Sequence, residues 1–208
     1  EQQNNDCQDS NCINNIFSEV QEAQAIDEIG SGVNGNYKDV STSAEVEQVA
    51  QQDNKECKDG SDCENSIGTL TQSAFAANLI GGGESYEGVS SSAEVEQIAK
   101  QNNNDCKENS VCQNDNAFQG QLAEVDNEIG GSNGNYKDVS SSAKVEQKIE
   151  QENEGCKESS FCENTHDAQI QTASASNLIG GGDGSYEDVS TSAEIEQIAQ
   201  QENKDCKD

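Results

Sequence analysis

Apolar and polar residues alternate along two stretches of this chain, and both stretches return four times. Every second residue from Ala143 gives Ala143, Val145, Gln147, Ile149, Gln151 and Asn153. The related segments from Ala44, Ala93 and Ala193 put Ala, Val or Ile, Gln, Ala, Gln and Asn in the same slots. A period of two marks a strand with one face turned inward, and it extends back to Val40, Val89, Val139 and Val189. A helix is the competing reading, because Thr42 with Glu45, Ser91 with Glu94 and Thr191 with Glu194 have capping-box spacing. The third copy breaks that helix: Lys144 replaces the capping glutamate and Lys148 the apolar residue of its face. The alternation survives in all four.

The second stretch lies upstream and ends on an isoleucine before glycine. It reads Gln21, Ala23, Ala25, Asp27, Ile29, then Gln72, Ala74, Ala76, Asn78, Ile80. The third and fourth copies are Gln121, Ala123, Val125, Asn127, Ile129 and Gln171, Ala173, Ala175, Asn177, Ile179. Between the two stretches stand GSGVNGNY, GGGESY, GSNGNY and GGDGSY, rich in residues that tolerate positive φ. Each unit is therefore expected to be two strands, a glycine turn and a cysteine loop.

Cys7, Cys57, Cys106, Cys156 and Cys206 fall 49 or 50 residues apart, which sets units at roughly 7–56, 57–105, 106–155 and 156–205. Units one and three share NGNYKDVS, while two and four share NLIGGG. The units thus group as a first double repeat, 1–106, and a second, 107–208. The expected fold is all-β: four tandem repeats in a β-solenoid-like stack, with inward Gln and Asn forming ladders along the stacking axis. The alternative is two antiparallel β-sandwich domains, with Asn34-Gly35 and Asn133-Gly134 as hairpin turns. In either case Val49, Ile98, Ile198, Phe75 and Leu79 face away from the Gln column and need a neighbour or solvent.

Composition sharpens this picture. Leu, Ile, Val and Phe are scarce and the net charge is −30, a balance that ordinarily leaves a chain unfolded. Hydrogen-bond ladders, disulfides, bound ions or neighbouring subunits must supplement a thin core. With 41 acids and no arginine, the surface repels nucleic acid and favours divalent and other cations as partners. No apolar run is long enough to span a bilayer.

The nine cysteines indicate an oxidising, extracellular or cell-surface location. They form the loops CQDSNC, CKDGSDC, CKENSVC and CKESSFC, so local pairing joins Cys7 to Cys12, Cys57 to Cys63, Cys106 to Cys112 and Cys156 to Cys162, leaving Cys206 over. A rival scheme pairs Cys12–Cys57, Cys63–Cys106, Cys112–Cys156 and Cys162–Cys206, leaving Cys7. Zinc is a weaker use for these thiols, since structural zinc sites prefer shorter spacing and often histidine. EQQNNDC at the start resembles QQENKDC before the last cysteine, so the chain begins and stops at one phase of the repeat. This suggests a processed form or a segment of a longer array, with Cys206 bonded outside the chain or to another subunit.

Candidate chemistry is sparse, and no enzyme activity is expected. The single histidine, His166, occupies a slot held by Ile67 in the second copy. Asp183, Glu187 and Asp188 beside a glycine-rich turn form a calcium-type candidate, although the other copies vary there; no other cofactor is expected. The hydroxyl runs VSTSAE and VSSSAE are candidates for O-linked glycan, while N-glycosylation sequons are absent. Thr42 and Thr191 are too few for an ice-like array.

The segment VEQKIEQENEGCKESSFCEN at 145 to 164, with its copies, resembles acidic tandem repeats of secreted and cell-surface proteins of archaea, ammonia-oxidising ones in particular. The resemblance implies an extracellular, acidic, β-rich surface element without a catalytic assignment. Two functions are therefore expected to compete: a structural subunit of an extracellular filament, sheath or matrix that self-associates into a polymer, and a discrete cell-surface adhesion or cation-binding module.

Overall fold

The computed structural model describes residues 1–30, 35–130, 134–180 and 184–206. It is an all-β parallel stack of four coils, each one repeat long. The longest sheet has the order β1 (Gln2–Asn4), β5 (Ser41–Asn54), β8 (Ser85–Asn103), β11 (Asn135–Asn153), β14 (Tyr186–Asn203), with β4 (Asn36–Lys38) also beside β8. A second sheet contains β3 (Glu19–Ile29), β7 (Leu70–Gly81), β10 (Gln119–Gly130) and β13 (Gln169–Ile179). A third is made of β2 (Asn11–Ile16), β6 (Asp62–Ile67), β9 (Val111–Asn116) and β12 (Phe161–His166).

Every strand pair is parallel, and equivalent residues of successive repeats sit side by side, as in Gln52 beside Gln101 and Ala74 beside Ala123. Antiparallel sandwiches with hairpins are thereby excluded. Asn34 and Asn133 of the expected hairpin turns lie outside the described residues. Each coil carries a third strand that the two-strand unit did not include, the six-residue segment after each cysteine loop.

The long sheet forms one layer, and the other two sheets share the opposite layer. Ala44, Val46, Ala93, Val95, Ala143 and Val145 pack against Ala74, Ala76, Ala123 and Val125 across the interior. Side chains this small let the layers approach closely, so the core is a thin seam. The inward glutamines and asparagines then lie within reach of both the next coil and the opposite layer.

At the glycine-turn end the seam closes on Ile80, Ile129, Val89 and Val139 around four stacked tyrosines. Ring centroids of Tyr37, Tyr86, Tyr136 and Tyr186 follow one another at 5.3, 4.9 and 5.1 Å. The Tyr86 hydroxyl donates to Gly130 O at 2.8 Å, which satisfies a phenol that is otherwise buried.

Bends repeat from coil to coil as well. Asp39, Gly88, Asp138 and Asp188 all have positive φ at equivalent places in the long sheet. Aspartate and glycine tolerate that region best. A Cβ on Gly88 would also stand 2.9 Å from Asp39 Oδ1.

The buried amides run in opposed directions. Asn4, Asn54, Asn103 and Asn153 each donate through Nδ2 to the asparagine one coil further on, at 2.9 to 3.0 Å. The column Asn14, Asn65, Asn114, Asn164 does the same and is cross-bonded to the first. Glutamine columns point the other way: Gln101 donates to Gln52, Gln151 to Gln101 and Gln147 to Gln97. These ladders satisfy polar groups that would otherwise be stranded in the seam.

Candidate assembly surfaces and the sulfur column

The cysteine loops stack at the end of the molecule remote from the tyrosines. Cys7–Cys12, Cys57–Cys63, Cys106–Cys112 and Cys156–Cys162 are bonded, and Cys206 is a free, exposed thiol. The local scheme is thus the one present in the structure. Each loop reverses within four or five intervening residues through left-handed backbone at positions such as Asp59, Gly60, Glu108 and Asn109.

The bridges form a continuous buried cluster. The sulfurs of Cys7, Cys57 and Cys63 all lie within 4.8 Å of one another, as do those of Cys57, Cys106, Cys112 and of Cys106, Cys156, Cys162. Two sulfurs of each trio already share a bond, so the trios are not thiolate sets for a metal. Among the described residues these trios are the only convergent groups of potential metal donors. Glu187 and Asp188 are exposed, and Asp183 lies outside the described residues.

The outer face of the long sheet is strongly acidic. Glu47, Glu96, Glu146 and Glu196 occupy one column, and Glu45, Glu94, Lys144 and Glu194 the next. Burial pushes the Glu96 carboxyl up, with Glu146, Glu47 and Glu94 adding to it. Lys144 contacts Glu94 and Glu146 at 3.0 Å each, and these bonds hold its ammonium above its ordinary value. The Glu150 carboxyl is lowered by Lys148, then by Lys100. The third coil therefore carries lysines where four carboxylates or four apolar residues would otherwise align.

Val49 and Ile198 are exposed on this face, with Ile98 half-buried between them. On the second sheet, Phe75 and Leu79 line a shallow outer groove of about 310 Å³ with Ile26, Ala77 and Leu178. Thr42 and Thr191, in contrast, sit in an inward column. Thr42 bonds Ser91 and Asn78, and Ser91 and Ser141 bond Asn127 and Asn177 respectively. The outward hydroxyls are their neighbours, Ser41 and Ser43 among them.

His166 is inward at a corner, in a column with Ile16, Ile67 and Asn116. The next column changes from Leu70 to Gln119 and Gln169. This corner is apolar in the second coil and polar in the third and fourth, where Asn116 Nδ2, His166 Nδ1 and both amide atoms of Gln169 have no partner. Sequence comparison matched His166 to Ile67 but not its inward direction. The alternation in FCENTH, with Cys162, Asn164 and His166 on one side, carried that signal.

The last coil offers an open edge. All 18 residues of β14 are exposed, Tyr186 at 49 % among them, yet they repeat the interior pattern down to Gln197, Gln201 and Asn203. No helix of the described residues is long and apolar enough to cross a membrane. Compared with protein-family models, curated proteins and solved structures, the chain matches none.

Proposed function

We propose that the chain is a structural unit of an extracellular filament, sheath or matrix, extended by adding coils of the same kind to the stack. The observation that carries this reading is the β14 edge, whose unpaired backbone, amide columns and tyrosine ring repeat the chemistry of every interior coil junction. An edge of that length is a template for another strand unless charge, proline or a covering segment blunts it. Here the inward half of the edge is amide, aliphatic and aromatic, matched to a further coil from continuing chain or from a second copy.

The disulfides support an oxidising location outside the cell, and the acidic faces support cations and water as the surrounding medium. No catalytic role is proposed. Electron microscopy and fibre diffraction of the purified chain, at raised salt to screen its charge, test the reading. Filaments with a repeat near 4.8 Å along the axis are expected; a monodisperse monomer under all these conditions would contradict it.

A second reading, a discrete adhesion or cation-binding module, draws on the carboxylate columns and on the candidate Asp183, Glu187 and Asp188. Calorimetry with calcium separates the two. Saturable binding lost in Glu187→Gln would favour the module, whereas heats that vanish in added sodium chloride would favour diffuse condensation on a structural surface.

A further inference from the structure

Lys144 and Glu124 stand back to back across the third coil. Gln121 donates to Glu146 O at 3.2 Å and Asn127 to Ser141 Oγ at 3.0 Å, which aligns β10 with β11 across the seam and places Glu124 behind Lys144. Alternation turns both side chains outward, on opposite outer faces of the molecule. Each is the exception in its column: Lys144 stands among Glu45, Glu94 and Glu194, and Glu124 among Gln24, Phe75 and Ser174. Asp126, the next outward residue, is likewise the one acid in a column with Ile26, Ala77 and Ser176. The coil with lysine on its long-sheet face is thus the coil with these two acids on its second-sheet face, and both layers of the molecule separate them.

We propose that the outer face of the second sheet docks on the outer face of the long sheet of a second copy, displaced sideways without rotation, with Glu124 of one chain paired to Lys144 of the next. Such a displacement keeps the alignment found inside each coil, and the strand register carries it to the other coils. The column Val49, Ile98, Lys148, Ile198 then meets the column Val20, Thr71, Gly120, Ile170. Valine meets valine in the first coil, and isoleucine meets isoleucine in the fourth. In the third, Lys148 meets Gly120, where the Phe118 ring stands 3.1 Å from the place of a Cβ and offers the lysine stem an apolar bed. Lys144 spends two N–H donors on Glu94 and Glu146, and its third is directed to Glu124 of the other copy.

The area suffices. Four strands of 11 or 12 residues span about 36 Å by 19 Å, roughly 700 Å² on each partner, against about 800 Å² per partner in a standard interface. Glu22 meets Glu47 in the first coil and both chains are strongly acidic, so the contact forms once salt screens the like charges. The apolar columns supply affinity, and the Lys144 pair fixes the register. Because one face binds a different face, the contact repeats without closing and sets stacks side by side in a layer. It uses the sides of the stack and is independent of growth at its ends.

Carbodiimide, which joins amines to the carboxylates they touch, tests this on an equal mixture of heavy- and light-isotope chains at raised salt. Heavy–light peptides joining Lys144 to Glu124 are expected, beside same-chain products of Lys144 with Glu94 and Glu146 as the internal reference. In sedimentation, Lys144→Glu and Glu124→Lys should each weaken association by more than about tenfold, and the two changes in one chain should restore it. Products confined to one chain, heavy–light products spread over many carboxylates, or a double variant no better than the single ones would overturn the contact. Filaments lacking the Lys144–Glu124 product would overturn it and spare axial growth. The product without filaments would support it and contradict axial growth.

Discussion

Asn54 Nδ2 donates to Asn103 Oδ1 at 2.9 Å across 49 residues of chain, and Asn103 passes the same bond on to Asn153. Asn103 also accepts from Asn65 and reaches Asn114 and Gln113 O. It is therefore a crossing point of both asparagine columns, fully buried at the centre of the stack. Asn103→Ala takes one acceptor each from Asn54 and Asn65, which keep their bonds to Glu64 O and Asn102 O, and removes the donors to Gln113 O and Asn153, so about 1–3 kcal/mol of stability should be lost. Asn103→Asp, nearly isosteric, should cost at least as much, because it removes donors and buries an unpaired charge. Denaturation midpoints of the three proteins check the order.

Alkali should loosen the tyrosine column. Burial, reinforced by Tyr136 and Tyr37, pushes the Tyr86 phenol up to about 12. Below about pH 10, the ordinary tyrosine value, the phenol is protonated whether folded or unfolded and its contribution is complete. Above that, the unfolded chain ionises first, so stability falls as pH rises from about 10 towards 12. Ultraviolet titration should show part of the tyrosine absorbance change delayed relative to free phenol, with the delay reduced in Tyr86→Phe and the remainder carried by Tyr136, which burial also pushes up.

Lys144 interrupts a carboxylate column. Lys144→Glu places four carboxylates in register and removes the contacts to Glu94 and Glu146. Loss of roughly 1 kcal/mol is expected at low ionic strength, since exposed pairs contribute about 0.2–1 kcal/mol each and like charges opposite one another repel. Thermal melts at low and high salt should converge, because screening weakens both effects.

The bridges contribute modestly. Cys106→Ser together with Cys112→Ser opens a loop with a sequence separation of 6, which corresponds to about 2 kcal/mol of unfolded-state entropy. The double variant should keep its parallel sheets and lose only that much. Circular dichroism and a denaturation curve measure both.

Much of this architecture was legible because solenoid coils repeat their constraints. Four copies of one alternation revealed the inward Gln147, Gln151 and Asn153 even though Lys148 and Glu150 flank them. The short third strand was harder to see: NCINNI, DCENSI, VCQNDN and FCENTH share little. Their common feature is a cysteine followed two places later by Asn14, Asn65, Asn114 or Asn164, the partners of the first asparagine column. The parallel pairing itself rests on contacts about 50 residues apart, which no local pattern encodes. The tyrosine stack was likewise spelled out at the glycine turns, but a lone tyrosine per copy carries no periodicity.

In an α-helix the peptide dipoles add head to tail, so charge accumulates at the ends. Here asparagine amides face one way along the axis and glutamine amides the other, so their polarisations oppose each other within each coil. Adding a coil therefore builds little axial field from these columns. An indefinitely long stack meets no growing electrostatic penalty from its own hydrogen-bonded interior.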